Sequence, residues 1–181
     1  MAQVLDRYQT EQKDETTSPV RVRKLGHVVF TVRNIERSIK FYQEMLNCRI
    51  SDVNERGMVF LNLCGDHHTI GLMEAEAGAE AEHHAPGQLG LNHFAMEVAS
   101  LDELFEIRDF LRAKGVTITS EGRKGPGSNV DVSFLDPDGY HLELYCGMDQ
   151  VGPSNRSRPA SQWHRVKTLE EARDHPLPAT W

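Results

Sequence analysis

Between Val22 and Cys146 the chain shows two hydrophobic rhythms, one of period two and one close to 3.6. Gly26-His27-Val28-Val29-Phe30-Thr31-Val32 places Val28, Phe30 and Val32 on one side of a strand, and Asn92-His93-Phe94-Ala95-Met96-Glu97-Val98 repeats this with Phe94, Met96 and Val98. A helix follows each strand. Asn34 caps the first, which carries Ile35, Ile39, Tyr42 and Leu46 on one stripe; Ser100 and Glu103 open the second as a capping box, ahead of Leu101, Leu104, Phe105 and Leu111. The second helix is expected to stop at Gly115. Three strands follow each helix, over 47–53, 58–64 and 67–74 in the first copy and 116–120, 129–135 and 140–146 in the second.

The punctuation agrees with this reading. Cys64-Gly65-Asp66 separates two runs in the first half, and Asp136-Pro137-Asp138-Gly139 carries the signature of a type I turn in the second. The pattern therefore predicts an α+β fold of two βαβββ modules, 24–75 and 90–147, pairing into one curved mixed sheet within a single domain over 21–147. Residues 1–20 are expected to form a mobile arm, 75–89 a linker, and 148–181 a tail with a short helix opened by Thr168 and Glu171. Trp163 and Trp181 stand in that polar tail and are expected to pack on the body or a second subunit.

Bulk properties narrow the classes. With 181 residues and 39% hydrophobic positions the chain can bury its own core. A net charge of −7 disfavours nucleic acid. No apolar run reaches the roughly 18 residues of a membrane span, and acidic residues interrupt the N-terminal stretch where a signal peptide would be apolar. Cys48, Cys64 and Cys146 show no paired spacing and read as buried thiols in a reducing compartment, so a cytoplasmic address is expected.

Candidate chemistry follows from strand parity. If Val28, Phe30 and Val32 face a helix, then His27, Val29 and Thr31 face away; His93, Ala95 and Glu97 do so in the repeat. In the last strand Leu142 and Leu144 take the helix side and leave His141, Glu143 and Tyr145 opposite. His27, His93 and Glu143 thus share non-helix faces, which converge if the modules form one sheet. Two imidazoles and one carboxylate bind a divalent metal with positions left open, the composition of non-haem Fe(II) sites, though Mn, Ni or Zn accept it too. His141 and Tyr145 are candidate pocket residues, and His83 and His84 in the linker are expected to be exposed.

The repeat, the turn followed by His141-Leu142-Glu143-Leu144-Tyr145, and the strand-opening His27 and His93 together resemble the vicinal oxygen chelate superfamily over residues 24–147. That family includes glyoxalases, fosfomycin-modifying enzymes, bleomycin-binding proteins and extradiol ring-cleaving dioxygenases. Gly65-Asp66-His67-His68-Thr69-Ile70-Gly71-Leu72 resembles the one-domain extradiol enzymes, in which the second His of such a pair acts as acid/base. The resemblance thereby implies His68 as a catalytic residue, Fe(II) as cofactor, a catechol-like aromatic and dioxygen as substrates, and a homodimer or higher homo-oligomer. Strict alternation from Gly71 instead puts His67 on the metal face, so His68 reaches it only if the strand starts late or bulges.

Glyoxalases generally add a fourth ligand, a Glu on the strand that here reads Ile70-Gly71-Leu72. Gly71 stands in its place, and Glu74 could substitute only after a register shift. The sequence departs from the extradiol pattern at two positions: Lys124 stands where a second active-site His is expected, and Ser133 where a Tyr is expected. Other readings are a metal-dependent isomerase, lyase or thiol transferase on the same fold, and a non-catalytic small-molecule binding protein.

Overall fold

A computed structural model describes residues 19–79, 89–151 and 157–178. His83, His84 and Trp181 lie outside the described residues, as does nearly all of the expected N-terminal arm. Module one runs β1 (Val28–Val32), α1 (Ile35–Leu46), β2 (Arg49–Val53), β3 (Val59–Asn62) and β4 (Ile70–Glu74). Module two repeats the order as β5 (Phe94–Glu97), α2 (Leu101–Ala113), β6 (Ile118–Arg123), β7 (Val130–Leu135) and β8 (His141–Cys146); in the tail α3 spans Leu169–Asp174.

Capping chemistry places the helices. Asn34 accepts from the Arg37 N–H at 2.7 Å, and α1 ends at Asn47 in the left-handed region. Ser100 accepts from the Glu103 N–H at 3.2 Å, and Glu103 reaches back to the Ala99 N–H at 2.8 Å. Gly115, with φ 72, follows the last turn of α2.

Each module forms a four-stranded mixed sheet, ordered β1-β4-β3-β2 and β5-β8-β7-β6. The first strand of each runs parallel to the last, with Val28 opposite Ile70 and Phe94 opposite Leu142. The helix-side residues Phe30, Val32, Ile70 and Leu72 join Leu104, Val132, Phe134 and Leu142 in one core. Full burial of each such side chain stabilises the fold by roughly 1.5–3 kcal/mol.

The hydrogen-bonded ladder does not continue from one module to the other. β1 and β5 are both edge strands: the α+β fold and the two βαβββ modules read from the sequence are present, and the expected curved mixed sheet takes the form of two four-stranded sheets. The reason lies in how the modules meet. Phe30 packs on Tyr140 at 4.8 Å and on Phe94 at 6.3 Å between ring centroids, and Tyr42 donates to buried Asp136 at 3.0 Å. The modules thus join through their helix-side residues. The buried face of α1 is centred on Ser38 and Tyr42, and polar Ser38 was absent from the apolar stripe because its hydroxyl bonds Asp138 at 3.3 Å.

Two further expectations need correction or detail. Cys48 and Cys146 are buried, whereas Cys64 is exposed because it lies in the turn after β3. Burial pushes the Cys48 thiol up to about 11. Trp163 is half-buried where it passes over Gly125 of its own chain, and it donates from Nε1 to the Arg158 carbonyl at 2.9 Å. No helix among the described residues is long and apolar enough to cross a membrane.

Candidate metal centre

Sheet two carries two of the three expected ligands. Glu143 is buried in the middle of β8, between Ala95 of β5 and Ser133 of β7. His93 precedes β5 and brings Nε2 to 3.9 Å from Glu143 Oε2. Its Nδ1 lies 2.8 Å from Asn92 Oδ1; an N–H donated there leaves Nε2 with its lone pair free to ligate.

A cation from the protein itself stands on the same carboxylate. Lys124, just past β6, donates from Nζ to Asp131 at 2.7 Å, Ser133 at 3.1 Å and Glu143 Oε2 at 3.2 Å. All three ammonium hydrogens are thereby used. Burial opposes the Lys124 charge, but the bond and charge of Asp131, with Glu143 behind it, hold its pKa above the ordinary lysine value. Asp131 is 1% exposed, and its Oδ2 has no hydrogen-bond partner. Burial first, and the Glu143 charge, raise its carboxyl despite Lys124. Asn129 Nδ2 donates to Glu143 Oε1 at 3.5 Å.

Sequence reasoning had singled out Lys124 and Ser133 but missed Asp131 and Asn129. Parity on β7 was the available signal: Asp131 and Ser133 alternate with buried Val130, Val132 and Phe134, and Ser133 pairs directly with Glu143. Tyr145 is opposite Asp131 and half-buried; burial, then the charges of Glu97 and Glu143, push its phenol up. His141 opens β8 exposed, opposite Leu135.

The third expected ligand is on sheet one. His27 is exposed just before β1, and its ring lies 4.6 Å from that of His68. His68 Nδ1 is 3.0 Å from His67 Nδ1, and His67 Nε2 is 3.7 Å from Asp52 Oδ2. It is therefore His68 that stands beside His27. Strict alternation does not reach it, because β4 begins only at Ile70.

Gly71 also shows why this sheet offers no carboxylate as a fourth ligand. A Cβ there would lie 3.0 Å from Met58 Cε and 3.1 Å from Val29 Cγ2, so those side chains fill the position. Glu74 cannot take over, since β1 and β4 pair in unbroken register and its Oε1 accepts from the Ile35 N–H at 3.1 Å.

Among the described residues, no three His, Cys, Asp or Glu side chains of the chain come together as a metal-holding group. His93 with Glu143, and His27 with His68, form two separate clusters. The modules join through helix-side residues such as Phe30, Phe94 and Tyr140, and the residues of the two clusters lie outside that core. His93 and Glu143 fit two positions of a divalent site, and the Lys124 ammonium already demonstrates that this carboxylate attracts a cation.

Residues 24–144 match the sequence profile described as Glyoxalase/Bleomycin resistance protein/Dioxygenase superfamily. The chain is 27% identical over 150 residues to metapyrocatechase 2 of Cupriavidus necator, covering 81% of this chain and 43% of that protein. It thus spans less than half the length of that relative. It is 27% identical over 125 residues to the lactoylglutathione lyase of Haemophilus influenzae, covering 65% of this chain and 88% of that protein. To the glutathione transferase FosA of Serratia marcescens it is 30% identical over 128 residues, covering 70% and 82%. Among solved structures, a glyoxylase/bleomycin resistance protein/dioxygenase domain from Frankia sp. EAN1pec aligns with a TM-score of 0.59 at 25% identity, covering 70% of this chain and 98% of that one.

Proposed function

We propose, from the premise that the chain belongs to the glyoxalase/bleomycin resistance protein/dioxygenase superfamily, that it is an Fe(II)-dependent extradiol dioxygenase that opens the ring of a catechol-like aromatic. Dioxygenases, lyases and a thiol transferase are about equally similar in sequence, so the family by itself does not choose among them. The observation that carries the choice is the pair of positions on sheet one. Gly71, backed by Val29 and Met58, supplies no fourth, carboxylate ligand, while His68 stands against His27 where a proton carrier is needed.

His27, His93 and Glu143 would hold the metal, which when bound supplies open positions to two adjacent substrate oxygens and to dioxygen. His68 would carry the proton between substrate and dioxygen, and Val29 and Met58 would give the aromatic ring an apolar wall. Because the two clusters are separate within one chain, we assign the complete site to two copies, His27 of one meeting His93 and Glu143 of the other. The free edges of β1 and β5 offer the strands for such pairing.

Lys124 in place of a His favours a second reading, a metal-dependent isomerase, lyase or thiol transferase that uses Mn, Ni or Zn. Anaerobic loading with Fe(II), followed by oxygen and a panel of catechols, separates the two. Oxygen uptake with a coloured ring-fission product is expected. Turnover of other substrates without oxygen consumption would establish the second reading, and ligand binding indifferent to a chelator would point to a binding protein.

A further inference from the structure

The family match ends at residue 144, yet residues beyond it reach the candidate site. Successive positions leading into the Lys124 loop each meet the C-terminal tail. At Gly122, with φ +110, a Cβ would lie 2.4 Å from the Val166 carbonyl oxygen, so the tail can cross there only over glycine. Arg123 and Val166 exchange both backbone hydrogen bonds, at 3.0 and 3.1 Å. The buried Arg123 guanidinium donates to the carbonyls of His164 at 3.0 Å and His175 at 3.1 Å.

The Lys124 carbonyl accepts from Arg165 Nε at 2.7 Å. At Gly125, with φ +136, a Cβ would be 3.0 Å from Arg165 Nε and 3.2 Å from Trp163 Cε3. The Arg165 guanidinium lies 5.3 Å from the Trp163 ring centre. The tie returns on the far side of the loop. Arg158 holds Asp149 through two bonds of 2.9 and 2.8 Å, and the Asp149 N–H donates to the Gly127 carbonyl at 2.8 Å.

Gly125-Pro126-Gly127 has no large side chain with which to anchor itself in the core. The Lys124 backbone is therefore held from two sides, by the β6–β7 ladder through Arg123 opposite Val130 and from outside by the tail through Arg165. An ammonium 3.2 Å from Glu143 repels a divalent cation brought to the same carboxylate.

We propose that Trp163–Val166 is a positioning strap for Lys124, and that by holding Lys124 on Glu143 it sets how readily Glu143 is shared with a metal ion. The second half rests on the reading of Glu143 as a metal ligand; the first does not.

Two measurements on the full chain test it. The first needs no metal: the rate at which an amine-reactive reagent labels Lys124, read peptide by peptide. Loss of the strap's hydrogen bond in Arg165→Ala should speed this labelling about fivefold. Arg165→Lys, which keeps a donor, should stay near wild type, and Lys40 should label at an unchanged rate. Equal Lys124 labelling in wild type and Arg165→Ala would overturn the strap.

The second is Mn(II) affinity by calorimetry. Lys124→Met and Arg165→Ala should each tighten binding about threefold or more, and Arg165→Ala should add nothing in the Lys124→Met background. Additive effects would show that Arg165 acts elsewhere and would overturn the proposal. If the wild type takes up no metal, the ligand role of Glu143 fails, and the labelling result still decides the strap.

Discussion

Arg37 of α1 reaches across the chain to Asp138 in the β7–β8 turn, with Nη2 at 2.5 Å from Oδ1. Asp138 is 3% exposed and also accepts from Arg33 and Ser38, so one carboxylate joins the helix of module one to the last hairpin of module two. Asp138→Ala should cost about 2 kcal/mol of folding stability, since the buried Ser38 hydroxyl loses its acceptor while the arginines return to water. Chemical denaturation measures this. An unchanged midpoint would mean that apolar packing and the Tyr42–Asp136 hydrogen bond join the modules without help from Asp138.

Gly71 makes an opposite kind of prediction, for an added group. Gly71→Ala places a methyl within 3.0 Å of Met58 Cε and 3.1 Å of Val29 Cγ2, both ends of side chains. The neighbours can yield in part, so a loss of about 1–2 kcal/mol is expected. Met58→Ala should relieve it, and a double-mutant cycle should return a coupling of similar size.

Much of this molecule could be read before its structure. The Val28–Phe30–Val32 and Phe94–Met96–Val98 alternations carry direct information about facing, because a strand buries every second residue. They located both modules and the faces bearing His27, His93 and Glu143. What escaped was contact that leaves no periodicity. Ser38 is buried through a hydroxyl and so breaks the apolar stripe it belongs to. Arg165 acts on a backbone carbonyl, which looks the same at every residue. The separation of the sheets was equally hidden, because strand parity says which way His27 points and nothing about which neighbour its strand edge meets.

The two adjacent histidines should separate on substitution. His68 lies against His27, whereas His67 turns to Asp52. His68→Gln should lower turnover by roughly 10²–10⁴ with little effect on metal content, while His67→Gln should lower it less than about tenfold. Equal losses would remove the distinction.

A site shared between copies can be tested by mixing inactive variants. His27→Ala and Glu143→Ala should each fail to retain metal alone. Unfolded together and refolded as dimers, they should recover up to about one quarter of wild-type sites, because half of random dimers are mixed and each has one intact site. No recovery would place all three ligands within one chain.

Acid should loosen the tail. Two hydrogen bonds from Arg158 hold the Asp149 carboxyl below its ordinary value of 3.8, against the opposing effect of burial. A depressed folded pKa contributes stability that is complete above the unfolded value and lost as pH falls through the folded one. Asp131 and Asp136 behave in the opposite sense. Burial raises both, so their contribution is present below the unfolded value and disappears as pH rises through the folded one. Melting followed from neutral pH downward should therefore fall less steeply in Asp149→Asn than in wild type. Parallel curves would dismiss Asp149 as the acid-sensitive tie.

Gly122 offers a way to sort homologues by ancestry. A side chain at this position would occupy the space through which Val166 passes, so a descendant that lost the glycine must also have rerouted or shed its C-terminal extension. The glycine and the extension should be inherited together, and a survey of aligned sequences can trace when the lineage acquired both.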